Sequence, residues 1–175
     1  MRTLLFILFF LTITFDCFAT EQEPDLLVFG NDTIYLKSYP LEFLKLTERP
    51  FGHSEQTPPS TACWRGYSAI WRIKDNQLFL EKVIQCQSDI NNKGDEDIVA
   101  LFNRNQIEFL REDYDGMILA NWVTIDLYST DNPYARNFPD RIYLQDVYLG
   151  NAKNEEKSLK IRIINGTIEI NKLIE

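Results

Sequence analysis

Apolar and polar residues alternate in several short segments of this chain, which is the pattern of half-buried β-strands. Two such segments, Leu26–Phe29 and Thr33–Leu36, flank Gly30-Asn31-Asp32 and predict a first hairpin. A second hairpin is predicted over Tyr67–Val83. Its turn is placed at Asp75-Asn76, because asparagine and aspartate tolerate the positive φ that a two-residue turn requires.

The β pattern continues through the second half of the chain. Ile118–Tyr128 is predicted to form one long strand, which Asp131-Asn132-Pro133 ends. One face of that strand would carry Leu119, Asn121, Val123, Ile125 and Leu127. Further strands are predicted at Arg141–Leu149 and Leu159–Ile164, and Asn165-Gly166 should turn the latter back against Ile168 and Ile170.

Two short helices interrupt the strands. Pro40 opens a helix over Leu41–Leu46, and Asp95-Glu96-Asp97 forms an acidic first turn before Ile98–Phe102. A strand paired with Ile107–Leu110 is the alternative for the second helix. The fold class predicted is therefore mainly β, an antiparallel sheet curled into a half-open barrel or sandwich with one or two short helices. The pattern leaves the strand order open.

The N-terminus has the layout of a signal peptide. Met1-Arg2 gives a positive start, and Leu4–Phe15 is an apolar run too short to span a bilayer. We expect residues 1–19 to be removed, leaving a single β-rich domain over residues 20–175 in the periplasm or secreted. The alternative is lipidation at Cys17, which the bulky Phe15 and the charged Asp16 disfavour.

The net charge of the chain excludes some classes of binding partner. The formal net charge is −8 at pH 7. An acidic surface repels phosphate backbones and anionic lipids, so we expect no nucleic acid partner. We also expect no membrane span after signal cleavage. A protein partner in the envelope is compatible with this charge, and the oligomeric state is left open.

Two cysteines, Cys63 and Cys86, remain after cleavage. An even pair in an oxidising compartment predicts a disulfide. The hairpin register places the two on one face but diagonally, slightly too far apart for a bond, so a bulge or a loosened strand end near Gly66 is needed. Two buried free thiols are the alternative.

The segment Ser60–Tyr67, followed by Trp71-x-Ile73 and Leu78-Phe79-Leu80, resembles a bacterial protein family with a Ser-Thr-Ala-x-Trp-Arg-Gly-Tyr motif. Leu101-Phe102 and Ala120-Asn121-Trp122 are similar to later landmarks of that family. The chain departs from the pattern at Asn121, where the family carries aspartate, and after Trp122. The resemblance implies a β-rich bacterial domain and carries no known activity.

The same motif suggests a binding site. Arg65 as an anion clamp and Trp64, Tyr67, Trp71 and Trp122 as an aromatic wall would form a ligand-binding cleft. The alternative is structural: the aromatic rings fill the core of a small barrel, and Arg65 pairs with a buried carboxylate.

No residue is predicted to be catalytic, and no metal or cofactor is predicted. His53 is the single histidine and lies in a loop rich in proline and glycine, which disfavours a triad or a histidine zinc site. Two acidic clusters, Asp113 with Asp115 and Asp95-Glu96-Asp97, are interpreted as solvated turns. We therefore expect an exported non-catalytic binding domain of the cell envelope for a protein or small ligand, an immunity protein being one example. The alternative is an envelope hydrolase that uses paired carboxylates on glycans or peptides.

The exported protein should begin at Thr20, because cleavage after Ala19 places small residues at the cleavage site. Intact mass spectrometry of protein recovered from the envelope fraction checks this expectation. An acylated species that begins at Cys17 would contradict it.

Overall fold

The computed structural model describes residues 20–52, 60–86, 94–109, 116–131, 136–137, 140–146 and 159–169. Several sequence predictions fall outside the described residues. They concern the signal segment 1–19 with Cys17, the loop residue His53, the carboxylates Asp113 and Asp115, the break at Asn132-Pro133, the end of the strand at 147–149, and Ile170.

The described residues form nine β-strands and three short helices. The strands are β1 Asp25–Phe29, β2 Asp32–Leu36, β3 Tyr67–Lys74, β4 Gln77–Gln85, β5 Ile118–Leu119, β6 Ile125–Thr130, β7 Tyr143–Gln145, β8 Leu159–Ile164 and β9 Thr167–Glu169. Two 3₁₀ helices span Pro40–Leu44 and Pro50–Gly52, and an α-helix, α1, spans Ile98–Arg104. Among the described residues no helix is long and apolar enough to cross a bilayer.

Eight of these strands close into a mixed barrel. Their order is β3-β1-β2-β7-β6-β8-β9-β4, and β4 pairs with β3 to complete the ring. β5 is an additional strand beside β4. The β1–β2 hairpin is inserted between β3 and β7 and runs parallel to each of them. The predicted mainly β fold with a curled sheet is confirmed. The barrel is closed and not half-open because β4 pairs with β3, and the sheet is mixed and not antiparallel because β1 and β2 pair in parallel with β3 and β7.

The alternation along the strands places one set of side chains inside the barrel. Leu27, Trp71, Leu80, Leu127 and Ile161 are all 0% exposed and belong to one continuous core. Burying each such side chain contributes about 1.5–3 kcal/mol relative to leaving it in water. The core is therefore the main source of stability, as expected for a domain of this size.

The β3–β4 hairpin forms as predicted at its turn. Asp75 and Asn76 have φ values of 50° and 60°, and Ile73 faces Leu78. The register then shifts between Ile70 and Trp71, where one extra residue of β4 forms a bulge. The bulge thus lies further along β3 than the position near Gly66 that the sequence suggested.

The predicted disulfide between Cys63 and Cys86 is confirmed, with a Cα–Cα distance of 6.3 Å. After the bulge Cys86 lies beside Gly66, whose carbonyl accepts a hydrogen bond from the Cys86 amide at 3.2 Å. A tight turn in which the Gly66 amide donates to the Cys63 carbonyl brings the other cysteine back to this point. The disulfide therefore holds the turn at residues 60–66 against the end of β4.

The prediction of one strand over Ile118–Tyr128 was wrong. The chain turns between β5 and β6, where the Val123 amide donates to the Ala120 carbonyl at 3.0 Å. Ile118, Ala120 and Val123 are buried in this arrangement, so the face that points inward changes phase at the turn. The turn leads the chain from β5, which pairs with β4, to β6, which pairs with β8. This change of partner depends on the tertiary structure, so the local alternation of apolar and polar residues does not predict it.

The helix predicted after the acidic run is confirmed as α1. Asp97 caps it, accepting a hydrogen bond from the Ala100 amide at 2.9 Å. The neighbouring carboxylates also have partners: Asp95 Oδ2 lies 3.3 Å from Lys82 Nζ, and Glu96 Oε1 lies 2.7 Å from Arg104 Nη2. Asp97 and Glu96 therefore contact the first and last turns of α1, and Asp95 connects the residues before it to β4.

Gly166 should tolerate substitution far less than Gly30, although both have positive φ, of 76° and 60°. A Cβ at Gly166 would lie 2.8 Å from the Ala120 carbonyl oxygen, whereas a Cβ at Gly30 would meet nothing within 4 Å. We expect Gly30→Ala to cost about 1–2 kcal/mol of unfolding free energy and Gly166→Ala about 2–5 kcal/mol. Urea denaturation measures both, and equal losses would contradict the backbone contact.

Candidate functional site

A buried ion pair joins β1 to the turn that precedes β3. The Arg65 side chain is 1% exposed and the Asp25 side chain 0% exposed, and Arg65 Nη1 lies 2.8 Å from Asp25 Oδ1. Burial acts to lower the pKa of Arg65, but the adjacent Asp25 carboxylate, together with the Tyr67 and Tyr39 side chains, raises this pKa above its usual value. Arg65 is therefore a cation in the core.

Asp25 accepts two further hydrogen bonds, both from β3. Its Oδ1 accepts a hydrogen bond from the Ala69 amide at 3.1 Å, and its Oδ2 accepts one from the Trp71 indole at 3.0 Å. A buried ion pair is tolerated only when such additional hydrogen bonds offset its desolvation. One carboxylate therefore ties the turn, β1 and β3 together.

Two tyrosine rings cover the Arg65 guanidinium. Its Cζ lies 3.8 Å from the ring centroid of Tyr39 and 5.1 Å from that of Tyr67. Its Nη2 also donates to the Glu23 carbonyl at 2.7 Å. Burial raises the pKa of Tyr39 to about 12, so this phenol is neutral at physiological pH. The rings stabilise the cation through their π faces, an interaction that is stronger out of water.

A chain of contacts leads from this core network to the surface. The Tyr67 hydroxyl donates to Glu42 Oε1 at 2.6 Å, and Arg49 Nη2 donates to Glu42 Oε2 at 3.2 Å. Arg49 in turn lies over the Trp64 ring, with its Cζ 4.9 Å from the centroid. The positions of Glu42 and Trp64 at the surface are thus set by the buried pair behind them.

These surface residues form one side of an open groove with a volume of about 940 Å³. The first 3₁₀ helix and the 60–66 turn supply one wall, and β6 and β8 supply the other. The groove is lined by Tyr39, Glu42, Phe43, Trp64, Thr124, Ile125, Asp126, Asp146, Arg162, Ile163 and Ile164.

Exposed apolar side chains are concentrated in this groove. Phe43, Trp64 and Ile164 are 44%, 36% and 39% exposed. In the part of the chain that the structure describes, they are three of the five large apolar side chains with such exposure; Phe29 and Ile142 lie elsewhere. A contiguous apolar surface bordered by polar groups is typical of an interaction site.

Charged groups border the apolar surface. Arg162 donates to both oxygens of Asp126, at 2.7 and 2.9 Å, across the β6–β8 pair. The hydrogen bonds from Arg162 hold the pKa of Asp126 below its ordinary value, so this carboxylate is charged at neutral pH. With Glu42 and Asp146, the lining contains three carboxylates and one guanidinium.

The structure brings the five residues of the predicted cleft into one network but gives them different environments. Of these, only Trp64 lines the groove. Arg65 and Tyr67 lie buried behind it, and Arg65 already has a carboxylate partner. Trp71 packs in the core against Trp122, whose indole donates to the Pro40 carbonyl at 3.1 Å. The placement of Arg65 corresponds to the structural alternative, and an anion-binding role for it remains a hypothesis.

Most groove residues were not predicted from the sequence. Asp126 and Arg162 lie on outward positions of two strands whose pairing the pattern leaves open. Glu42 and Phe43 belong to a predicted helix, but nothing local says that this helix faces β8. A polar residue at the start of a predicted strand, such as Asp25, is a weak signal for a buried partner.

Glu23 lies near the disulfide. Its carboxylate and the sulfurs of Cys63 and Cys86 fall within 4.8 Å of one another. The sulfurs are joined to each other, so they are not available as thiolate ligands for a metal.

Asp25→Asn should destabilise the protein strongly, because it leaves the Arg65 cation buried without a counter-charge. The expected loss is about 3–5 kcal/mol of unfolding free energy. Glu81→Gln is the matched control: Glu81 forms a partly exposed pair with Arg72 at 2.8 Å, and its loss should cost about 0–1 kcal/mol. Thermal and urea unfolding of both variants test this contrast, and similar small losses would contradict a core role for Asp25.

Comparison of the chain with known proteins identifies no relative. No family model, curated protein or solved structure matches the chain. The resemblance of the segment around Trp64 to a bacterial family therefore stays a prediction. The groove and the network behind it have to be interpreted from their own chemistry.

Proposed function

We propose that this chain is an exported, non-catalytic binding domain of the cell envelope, and that a protein partner docks in the groove. The concentration of Phe43, Trp64 and Ile164 in one groove carries the proposal. Partially exposed aromatic anchors with a polar border are the usual centre of a protein interface. A toxin-neutralising immunity protein would be one example of such a domain.

The rigidity of one wall supports binding by a preformed surface. Trp64 follows the disulfide-held Cys63 and lies under Arg49, which Glu42 fixes. A wall that is ordered before binding loses little conformational entropy when a partner arrives. The disulfide also fits the oxidising compartment that the signal segment predicts.

The state of the groove carboxylates favours binding over hydrolysis. A glycosidase requires one carboxylic acid with a raised pKa beside an ionised one. Arg162 lowers the pKa of Asp126, so Asp126 does not have the raised pKa of the acid, and both oxygens of Glu42 already accept hydrogen bonds, from Tyr67 and Arg49. Of the two acidic clusters considered for a hydrolase from the sequence, Asp95-Glu96-Asp97 lies at the start of α1, and Asp113 with Asp115 lies outside the described residues.

Site-specific photo-crosslinking in the source cells tests the proposal. A benzophenone amino acid in place of Phe43 should yield one dominant protein adduct in the envelope fraction, because this side chain lines the groove. The same substitution at Phe29, which is 38% exposed outside the groove, is the matched control and should not yield that adduct.

Mutation of the groove then checks the specificity of the adduct. Trp64→Ser should reduce it, whereas Ile142→Ser, at another exposed apolar side chain, should not. Equal adducts from positions 43 and 29 would contradict the proposal. Turnover of an envelope glycan or peptide that Asp126→Asn abolishes would contradict it in favour of a hydrolase.

A further inference from the structure

We propose that the groove binds an uncharged, apolar segment of its protein partner and disfavours cationic and anionic side chains alike. This inference rests on the proposed function and adds the chemistry of the partner segment. Two features of the groove carry it: apolar side chains are exposed on both walls, and the charged side chains of the lining already have partners within the chain.

The apolar side chains face a space larger than one side chain. The groove volume of about 940 Å³ is in the range of sites that hold a ligand of several linked groups. Phe43 and Trp64 lie on one wall and Ile164 lies on the other, so an apolar side chain between them removes apolar surface from water on both sides. A short apolar peptide segment meets this requirement.

The Asp126–Arg162 pair offers little to a charged ligand. Arg162 donates to both oxygens of Asp126, so the two charges offset each other within the lining. A cation that approaches Asp126 also approaches Arg162, and an anion that approaches Arg162 also approaches Asp126, so attraction and repulsion largely cancel. Either ion would still lose part of its hydration on entering the groove.

The other two carboxylates of the lining are engaged as well. Glu42 accepts a hydrogen bond at each oxygen, from the Tyr67 hydroxyl and from the cationic Arg49. Asp146 is 6% exposed and has a contact of its own within the chain, so a ligand in the groove hardly reaches it. The lining carboxylates therefore do not form an acidic site for a basic ligand.

The hydroxyl group of the lining residue Thr124 also has partners. It donates to Asn165 Oδ1 at 3.3 Å and accepts a hydrogen bond from the Asn165 amide at 3.0 Å. An apolar segment that covers this hydroxyl does not leave it without a hydrogen bond, which would be costly. The groove can therefore be covered by a segment that supplies no polar side chains.

The net charge of the whole chain favours a different protein as the source of the apolar segment. At −8, two copies of this chain repel each other, and the chain is also repelled by an anionic lipid surface. An uncharged segment of another protein meets neither repulsion.

NMR titration of the isotope-labelled, disulfide-intact protein with synthetic peptides tests the partner chemistry. The probes are acetylated, amidated pentapeptides with one apolar centre: Ser-Leu-Phe-Leu-Ser, Lys-Leu-Phe-Leu-Lys and Glu-Leu-Phe-Leu-Glu. At about 0.15 M salt the serine peptide should bind at least about threefold more tightly than either charged peptide, because its ends lose less hydration. Its affinity should change by less than about twofold between about 0.05 and 0.5 M salt, because no charge pair forms on binding.

Removing the partner of one carboxylate should change this selectivity. In Arg162→Gln, Asp126 keeps its charge without a counter-charge, so the lysine peptide should gain at least about threefold relative to the serine peptide. Arg72→Gln is the matched control, because Arg72 pairs bidentately with Glu81 and does not line the groove. It removes the same charge and should leave the order of the three peptides unchanged. Thermal melts confirm that each variant is folded.

Several outcomes would overturn the inference. They are a charged peptide that binds the unmodified protein as tightly as the serine peptide, equal effects of the two arginine variants, and shift changes confined to residues outside the groove. Binding of no peptide up to the millimolar range would also overturn it, while the crosslink from position 43 would leave the proposed function standing. Self-association in sedimentation that Trp64→Ser abolishes would overturn it by assigning the groove to a second copy.

Discussion

The Asp25 carboxylate is the group on which the arrangement of this barrel most depends. It lies at the start of β1, without exposure to solvent, and receives hydrogen bonds from the Arg65 guanidinium, the Ala69 amide and the Trp71 indole. A lone buried charge would cost several kcal/mol, so the carboxylate is compatible with the core only while all these donors are in place. The parallel alignment of β1 with β3 and the position of the 60–66 turn therefore depend on one another.

The same buried network also fixes residues that line the groove. Because Arg65 is covered by Tyr39 and Tyr67, and Tyr67 positions Glu42, the outer wall is an extension of the core. Such a wall is ordered by contacts within the chain itself. Of the residues that resemble a binding motif in the sequence, most are packed behind the groove, and Trp64 is the member that lines it.

Local rules were sufficient wherever a feature depends on neighbouring residues. The Asp75-Asn76 turn, the capped start of α1 at Asp97 and the inward face of β1 follow from turn chemistry, capping and alternation. The break between Ala120 and Val123 could not be found in this way, since the segment alternates well and is divided because the chain passes between two parts of the barrel. The groove could not be predicted from the sequence for the same reason. Asp126 contacts Arg162 only because their strands pair, and the two residues are 36 positions apart in the sequence.

The bulge between Ile70 and Trp71 has a consequence for how such a chain can vary over evolution. A shift of one residue in a strand exchanges its two faces, and here a single extra residue in β4 sets the register of the residues between the bulge and Cys86. Substitutions in this stretch alter packing and can be compensated by neighbours. A change of length by one residue would instead carry Cys86 away from Cys63 and invert the inward face of β4 at the same time. Chain length between the turn and the second cysteine should therefore be more strictly preserved than the identity of the residues that fill it.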